Sequence, residues 1–408
     1  MTAPSKSPLL TGLLLTLCLA ALGAGPAAAN PPRTFFGVQG WETAGPADLA
    51  VLGEARVGVV REIFTWSRVE PAPGVRDWRY YDALVASAAE RGVTVLPVLF
   101  GSPSFAARSQ HQMPGRSKGH AAFARFAADA VRRYGRRGAF WRKHPDLPFR
   151  PPIGWEIWNE PNARISGTSA SAYRKATVPA ARAIRRVDGG EKIVLAGLAG
   201  KNLAPSYLAQ LYQQRSFKRY FDVVSVHPYS PDVKGLRAFI ARMRKVMSRA
   251  GDQRTPIWVT ELGWATGGKK SFLRVTRSRQ AELLRGAFQA LADMRQSARV
   301  GLVIWFSLRD RADHRDQTRS GPSAYNKTGL FELSGRPKPA WEVLRGFTMA
   351  TDPPPGGEVG SGDPDGGGDP GPQGNPQPSP TPQPSPTPEP SPTPGPGLPI
   401  TPVGPAAN

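Results

Sequence analysis

The sequence predicts an α/β protein folded as a (β/α)8, or TIM, barrel. Three observations carry that expectation. Eight short apolar runs alternate with amphipathic stretches of helical period along residues 31–350. That stretch is long enough for the roughly 250 residues such a barrel needs. No Gly-rich phosphate loop follows any of the runs, which argues against a doubly wound nucleotide-binding sheet.

The expected strands are 35–39, 57–63, 93–99, 153–158, 193–196, 223–226, 257–260 and 302–306, each rich in Val, Ile, Leu and aromatics. Helical periodicity is clearest over 80–91, 121–134, 170–187, 236–250 and 279–294. Strands alternating with helices make parallel βαβ units. In such a barrel the chemistry belongs at the C-terminal ends of the strands. Polar and aromatic residues gather there. Arg61 lies on strand two, Asn159 and Glu160 end strand four, and His227 and Tyr229 end strand six. Glu261 ends strand seven, and Trp305 lies on strand eight.

The two ends of the chain read differently. Lys6 precedes an apolar run over 9–22, and Ala27, Ala28 and Ala29 offer a small-residue cleavage site. Residues 1–29 are therefore expected to be a cleaved secretory signal peptide, placing the protein outside the cell with no membrane insertion afterwards. Residues 30–350 form the expected barrel domain. Residues 351–408 hold 20 of the 44 prolines and a Pro-Ser-Pro-Thr-Pro repeat, a composition that builds no core. They are expected to be a disordered tail, with polyproline II geometry in the repeats and a cell-wall-threading stalk as the alternative. The single cysteine, Cys18, excludes a disulfide framework and a Cys-based metal site.

Charge is concentrated in the middle. Residues 31–350 hold 52 Lys and Arg against 25 Asp and Glu, a net +27. Aromatic-interleaved basic motifs of a nucleic-acid-binding module are absent, and most of the bases are arginines on helices, so no nucleic-acid partner is expected. An anionic polysaccharide remains the minority reading of the charge.

Glu160 and Glu261 carry the functional argument. A carboxylate at the mouth of an apolar barrel is costly to place. A pair facing one cavity supplies what glycoside hydrolysis needs, a proton donor for the leaving oxygen and a carboxylate for the anomeric carbon. Glu156 lies four residues before Glu160, inside the strand, and is expected to pair with a cation in the barrel interior. The loop 310–316 has acids three apart, but interleaved arginines argue against calcium, and it reads as a substrate-side loop or charged surface. No metal and no cofactor are expected.

At these residues the sequence resembles a known group. Trp155-Glu-Ile-Trp-Asn-Glu-Pro-Asn162 resembles the strand-four signature of clan A of the glycoside hydrolases, and Trp258-Val-Thr-Glu-Leu-Gly-Trp264 resembles that clan's strand-seven motif. The likeness extends through residues 64–74 and 134–141 and is greatest to family 39 and its cellulase-like family 5 neighbours. It implies a retaining glycosidase with Glu160 as acid/base and Glu261 as nucleophile. Arg61 and Tyr229 would then keep Glu261 ionised, and Asn159 would bond the sugar 2-hydroxyl. His227 sits where the clan places a polar subsite residue, with a satisfied core histidine as the alternative. Trp305 matches the aromatic floor under the sugar, with core packing as its alternative. The partner expected is an oligo- or polysaccharide, the protein a monomer. A transglycosylase would use the same residues, and a non-catalytic carbohydrate-binding or wall-associated barrel is the rival class.

Overall fold

A computed structural model of the chain describes residues 30–40, 44–312 and 323–351. The signal-peptide and tail expectations, and Cys18, fall outside these residues. The described residues contain the barrel that was expected. Eight parallel strands close on themselves in sequence order: β1 (Phe36–Gln39), β2 (Val59–Thr65), β3 (Thr94–Phe100), β4 (Trp155–Asn159), β5 (Ile193–Ala199), β6 (Val224–His227), β7 (Ile257–Leu262) and β8 (Val300–Trp305). Closure is through β1 and β8, where Val38 stands beside Trp305.

Three of the helices that return the chain between strands start where a side chain caps them. Ser169 accepts from the amide of Ala172 at the head of the helix Ala170–Val187. Asp232 does the same for Gly235 in Val233–Arg249, and Thr276 for Arg279 in Arg277–Ser297. These caps explain why two expected helices begin two or three residues earlier than periodicity alone suggested. Three shorter helices, Pro46–Glu54, Leu203–Tyr212 and Pro339–Met349, lacked a long enough periodic stretch to be read from sequence. No helix among the described residues is long and apolar enough to cross a membrane.

Side chains alternate across each strand, and this decides what reaches the barrel interior. The lower interior is an apolar plug of Val59, Leu96, Val194, Val223, Trp258, Leu302 and Ile304. The outward faces join the helices in the larger core. Above the plug, the same inward positions become polar: Arg61 on β2, Glu156 on β4, Ser225 and His227 on β6 and Thr260 on β7 are all fully buried. The apolar floor and the polar layer above it place the site.

Candidate active site

Arg61 is the hub of that layer, and all five of its N–H donors are used. Nε donates to Glu156 at 2.7 Å, and Nη2 to Glu156 at 3.0 Å and Asn159 at 2.8 Å. Nη1 donates at 2.7 Å to both Gln39 and Glu261. One guanidinium thus ties β2 to β1, β4 and β7. Burial works against its charge, but Glu156 and Glu261 outweigh that and raise its pKa above the ordinary arginine value. Glu156 is the interior ion-pair partner the sequence suggested.

The end of β4 is set by an unusual backbone. Alternation from Glu156 would point Trp158 inward, but Trp158 adopts φ 78° and Glu160 φ 41°, a left-handed region that residues with a side chain enter at a cost. Trp158 therefore packs outward on Phe100 and Phe123, while Asn159 turns in to Arg61 and Glu160 faces the cavity. On β7, a shift in the β7–β8 register between Val259 and Leu262 lets the successive residues Thr260 and Glu261 both join the interior network.

Two carboxylates result, 3 % and 4 % exposed. A carboxylate oxygen of Glu160, one of Glu261 and a ring nitrogen of His227 all lie within 4.8 Å of one another. Glu261 accepts from Arg61 on one oxygen and from the Tyr229 hydroxyl, at 3.0 Å, on the other. Glu160 faces His227 Nδ1 at 2.7 Å. Burial pushes the Glu261 carboxyl above the ordinary range; His227 and Arg61 pull it back and Glu160 pushes it further up. Burial also lowers His227 to about 4, so its imidazole is neutral near pH 7. The Tyr229 hydroxyl is raised by burial and by Glu261, and it stays a donor. The ring of His227 fits only because residue 197 is glycine: a Cβ there would lie 1.9 Å from Nε2.

The structure thus brings together Glu160, Glu261, Arg61, Asn159, His227 and Tyr229. Trp305 is a correction. Leu302 and Ile304 face the interior, so alternation turns Trp305 outward. It is fully buried against Trp264 and Phe288, and its indole N–H donates to the Thr328 carbonyl. It packs the helix layer and cannot lie under a sugar. The next residue, Phe306, lies edge-on to Tyr229, which in turn lies edge-on to Tyr325. Tyr325 senses both glutamates, which together with burial raise its hydroxyl pKa. Gln39, Phe306, Tyr325 and Thr260 are the site residues that sequence reasoning missed. Counting inward positions by twos from Leu302 would have found Phe306. Asp310 is nearly buried, with Lys338 at 2.7 Å, so the described part of the 310–316 loop is a structural ion pair.

Glu160, His227 and Glu261 are close enough to share a metal ion. Their donor atoms are already engaged by Arg61, Tyr229 and one another, and a guanidinium 2.7 Å from Glu261 opposes a second cation. The cluster suits carboxylate chemistry better than metal binding.

Comparison with known proteins adds a likeness in sequence family and in fold. Residues 157–333 match the family model described as glycosyl hydrolase catalytic core, a span that includes both glutamates. No curated protein sequence matches the chain. Among solved structures, a family 39 glycoside hydrolase from the gut symbiont Bacteroides cellulosilyticus superposes with a TM-score of 0.60 at 18 % identity, covering 78 % of this chain and 64 % of that one. A GH5_18 protein from Bifidobacterium longum subsp. infantis gives 0.58 at 14 % identity, covering 79 % and 80 %. A monomeric beta-xylosidase from Caulobacter crescentus gives 0.55 at 18 %, covering 78 % and 68 %. The chain therefore spans just under two thirds of the family 39 protein's length. Residues 157–333, which hold both glutamates, are thus similar to a glycosyl hydrolase catalytic core, and the barrel shares its fold with these solved glycosidases.

Proposed function

We propose that the protein is a secreted retaining glycosidase that cleaves O-glycosidic bonds of an oligo- or polysaccharide by double displacement. The observation that carries this reading is the approach of Glu160 and Glu261 oxygens to within 4.8 Å. Retaining enzymes hold their carboxyl groups roughly 5–5.5 Å apart, whereas inverting enzymes need about 6.5–9.5 Å to admit a water. The separation of these oxygens falls on the retaining side of that divide.

The surroundings support a division of labour. Two desolvated carboxylates this close hold one proton between them. Glu261 receives two donors, Arg61 and Tyr229, which favour its anion. Glu160 faces a neutral imidazole. The proton belongs on Glu160. In the first step a Glu261 oxygen bonds to the anomeric carbon while Glu160 passes its proton to the departing glycosidic oxygen, and the carbon–oxygen bond breaks. In the second, the Glu160 carboxylate takes a proton from water, the water oxygen bonds to the anomeric carbon, and the ester to Glu261 breaks. Asn159 accepts from Arg61 through Oδ1, which leaves its amide N–H groups for the sugar 2-hydroxyl.

A 2-deoxy-2-fluoro aryl glycoside tests this reading, because fluorine slows the second step and traps the first product. Peptide mass spectrometry should place the sugar on Glu261. A label on Glu160, or none with any sugar in a broad panel, would overturn it.

A further inference from the structure

Behind His227 lies a polar chain that the two-carboxylate chemistry does not use. We propose that Glu156, acting through the hydroxyls of Ser225 and Thr260, fixes the tautomer of His227 and so makes Glu160 the carboxyl that carries the proton. This deepens the reading above and rests on it for its catalytic consequence, though not for the tautomer itself.

The chain starts at a carboxylate that can only accept. Glu156 Oε2 takes Arg61 Nε–H at 2.7 Å; Oε1 takes Arg61 Nη2 at 3.0 Å and the Gly197 amide at 2.9 Å. Ser225 Oγ lies 3.3 Å and Thr260 Oγ1 3.4 Å from the same Oε1, and the two hydroxyls touch each other. Each hydroxyl has one proton, and a carboxylate is the strongest acceptor either can reach. With its proton directed to Glu156, or to Ser225 and through it to Glu156, Thr260 turns a lone pair toward His227 Nε2, 3.1 Å away. That contact then requires Nε2 to carry hydrogen.

A neutral imidazole has one N–H, so Nδ1 is left with a bare lone pair. Glu160 Oε1 lies 2.7 Å from it. Two lone pairs at that distance repel, and the contact becomes a bond only if Glu160 supplies the proton. Charge balance points the same way. The groups around the ring are Arg61, Glu156, Glu160 and Glu261, with Ser225 and Thr260 behind it. With Glu160 protonated they sum to one negative charge; with Glu160 ionised, to two. After Glu160 has given up its proton, the bare Nδ1 still disfavours the carboxylate, which favours recovering a proton from water in the second step. Thr260 and Glu156 are thus positioning residues that act through His227.

The test reads the ring directly. In protein labelled with 15N-histidine, long-range proton–nitrogen spectra near pH 6.5 distinguish the two neutral tautomers, and loss of signal in His227→Gln assigns the residue. The parent and Thr260→Ser should show hydrogen on Nε2. Thr260→Val removes the acceptor, and the population should move toward Nδ1–H. For the same variant, kcat/KM should fall about 100-fold with leaving groups that need protonation and little with dinitrophenyl glycosides, while Thr260→Ser recovers the parent's basic limb. Hydrogen on Nδ1 in the parent would overturn the proposal whether or not Thr260→Val folds. An Nε2–H parent with no turnover on any glycoside would leave the tautomer standing and remove the glycosidase reading instead.

Discussion

Two sets of arginines in this molecule live by opposite rules. Arg61, in the barrel mouth, is fully buried and spends every donor on Gln39, Glu156, Asn159 and Glu261. On the outer wall, Arg125, Arg132, Arg182 and Arg186 rim a groove floored by Ala121, Ala124, Ala128 and Ala183 between the helices Arg116–Tyr134 and Ala170–Val187. Arg132 pairs with Asp129 at 2.8 Å in an exposed ion pair, and Arg182 reaches the Tyr220 hydroxyl at 2.8 Å. Many of the bases behind the net +27 of residues 31–350 are arginines of this second kind. Solvent already stabilises an exposed guanidinium, so its protein contacts add little. A buried one must be matched donor by donor, or it would not stay there. The count of charges says little about function; the few that are desolvated say most.

The largest effect should come from removing the proposed nucleophile. Glu261→Ala should lower turnover by about 10⁴-fold or more, since in the proposed mechanism Glu261 alone bonds to the anomeric carbon. Azide should restore part of it as a glycosyl azide of inverted configuration, and Glu160→Ala with an activated aryl glycoside should give the retained azide. Swapped stereochemistry between the two variants would mean their roles are reversed.

Arg61→Met comes next. It leaves Glu156 and Glu261 buried without their cation, which should cost about 3–5 kcal/mol of stability, measured by denaturant titration. Loss of a positive neighbour raises a carboxyl pKa, and that of Glu261 is already raised by burial. The acidic limb of the rate profile should therefore move to higher pH. An unchanged profile would detach Arg61 from the nucleophile.

His227 makes a smaller, pH-dependent contribution. Its pKa falls from 6.5 to about 4 on folding, because burial disfavours the charged ring. Between those values the unfolded chain binds the extra proton, so stability is present above pH 6.5 and is lost as pH falls toward 4. The parent should lose up to about 3 kcal/mol across that window relative to His227→Gln. Parallel stability curves for the two proteins would show that the ring is solvated.

The smallest effect belongs to the outer wall. Changing Arg125, Arg132, Arg182 and Arg186 together to Gln should leave the melting temperature and kcat on a small neutral glycoside near parent values, each change within about 0.5 kcal/mol. A large loss in either would show that the wall arginines do more than meet solvent.

Much of this was legible in the sequence, and the limits were local. Eight strands and five helices follow from period and composition, and Glu160 and Glu261 stand out because carboxylates rarely end apolar strands. Trp305 was misread because aromatic identity was weighed without its face: one residue along β8 separates the helix layer from the cavity. Tyr325 was not legible. It arrives from a 3-10 turn, Ala324–Lys327, far beyond the strand ends, and only the fold brings it beside Tyr229. The role of Thr260 depends on the β7–β8 register shift, which no periodic pattern announces.

The proposed double displacement turns on the approach of Glu160 and Glu261, which favours a covalent intermediate. Proton NMR of the parent enzyme, recorded in the first minutes of hydrolysis before mutarotation, tests it most directly. The first product should have the anomeric configuration of the substrate. A first product of inverted configuration would contradict it.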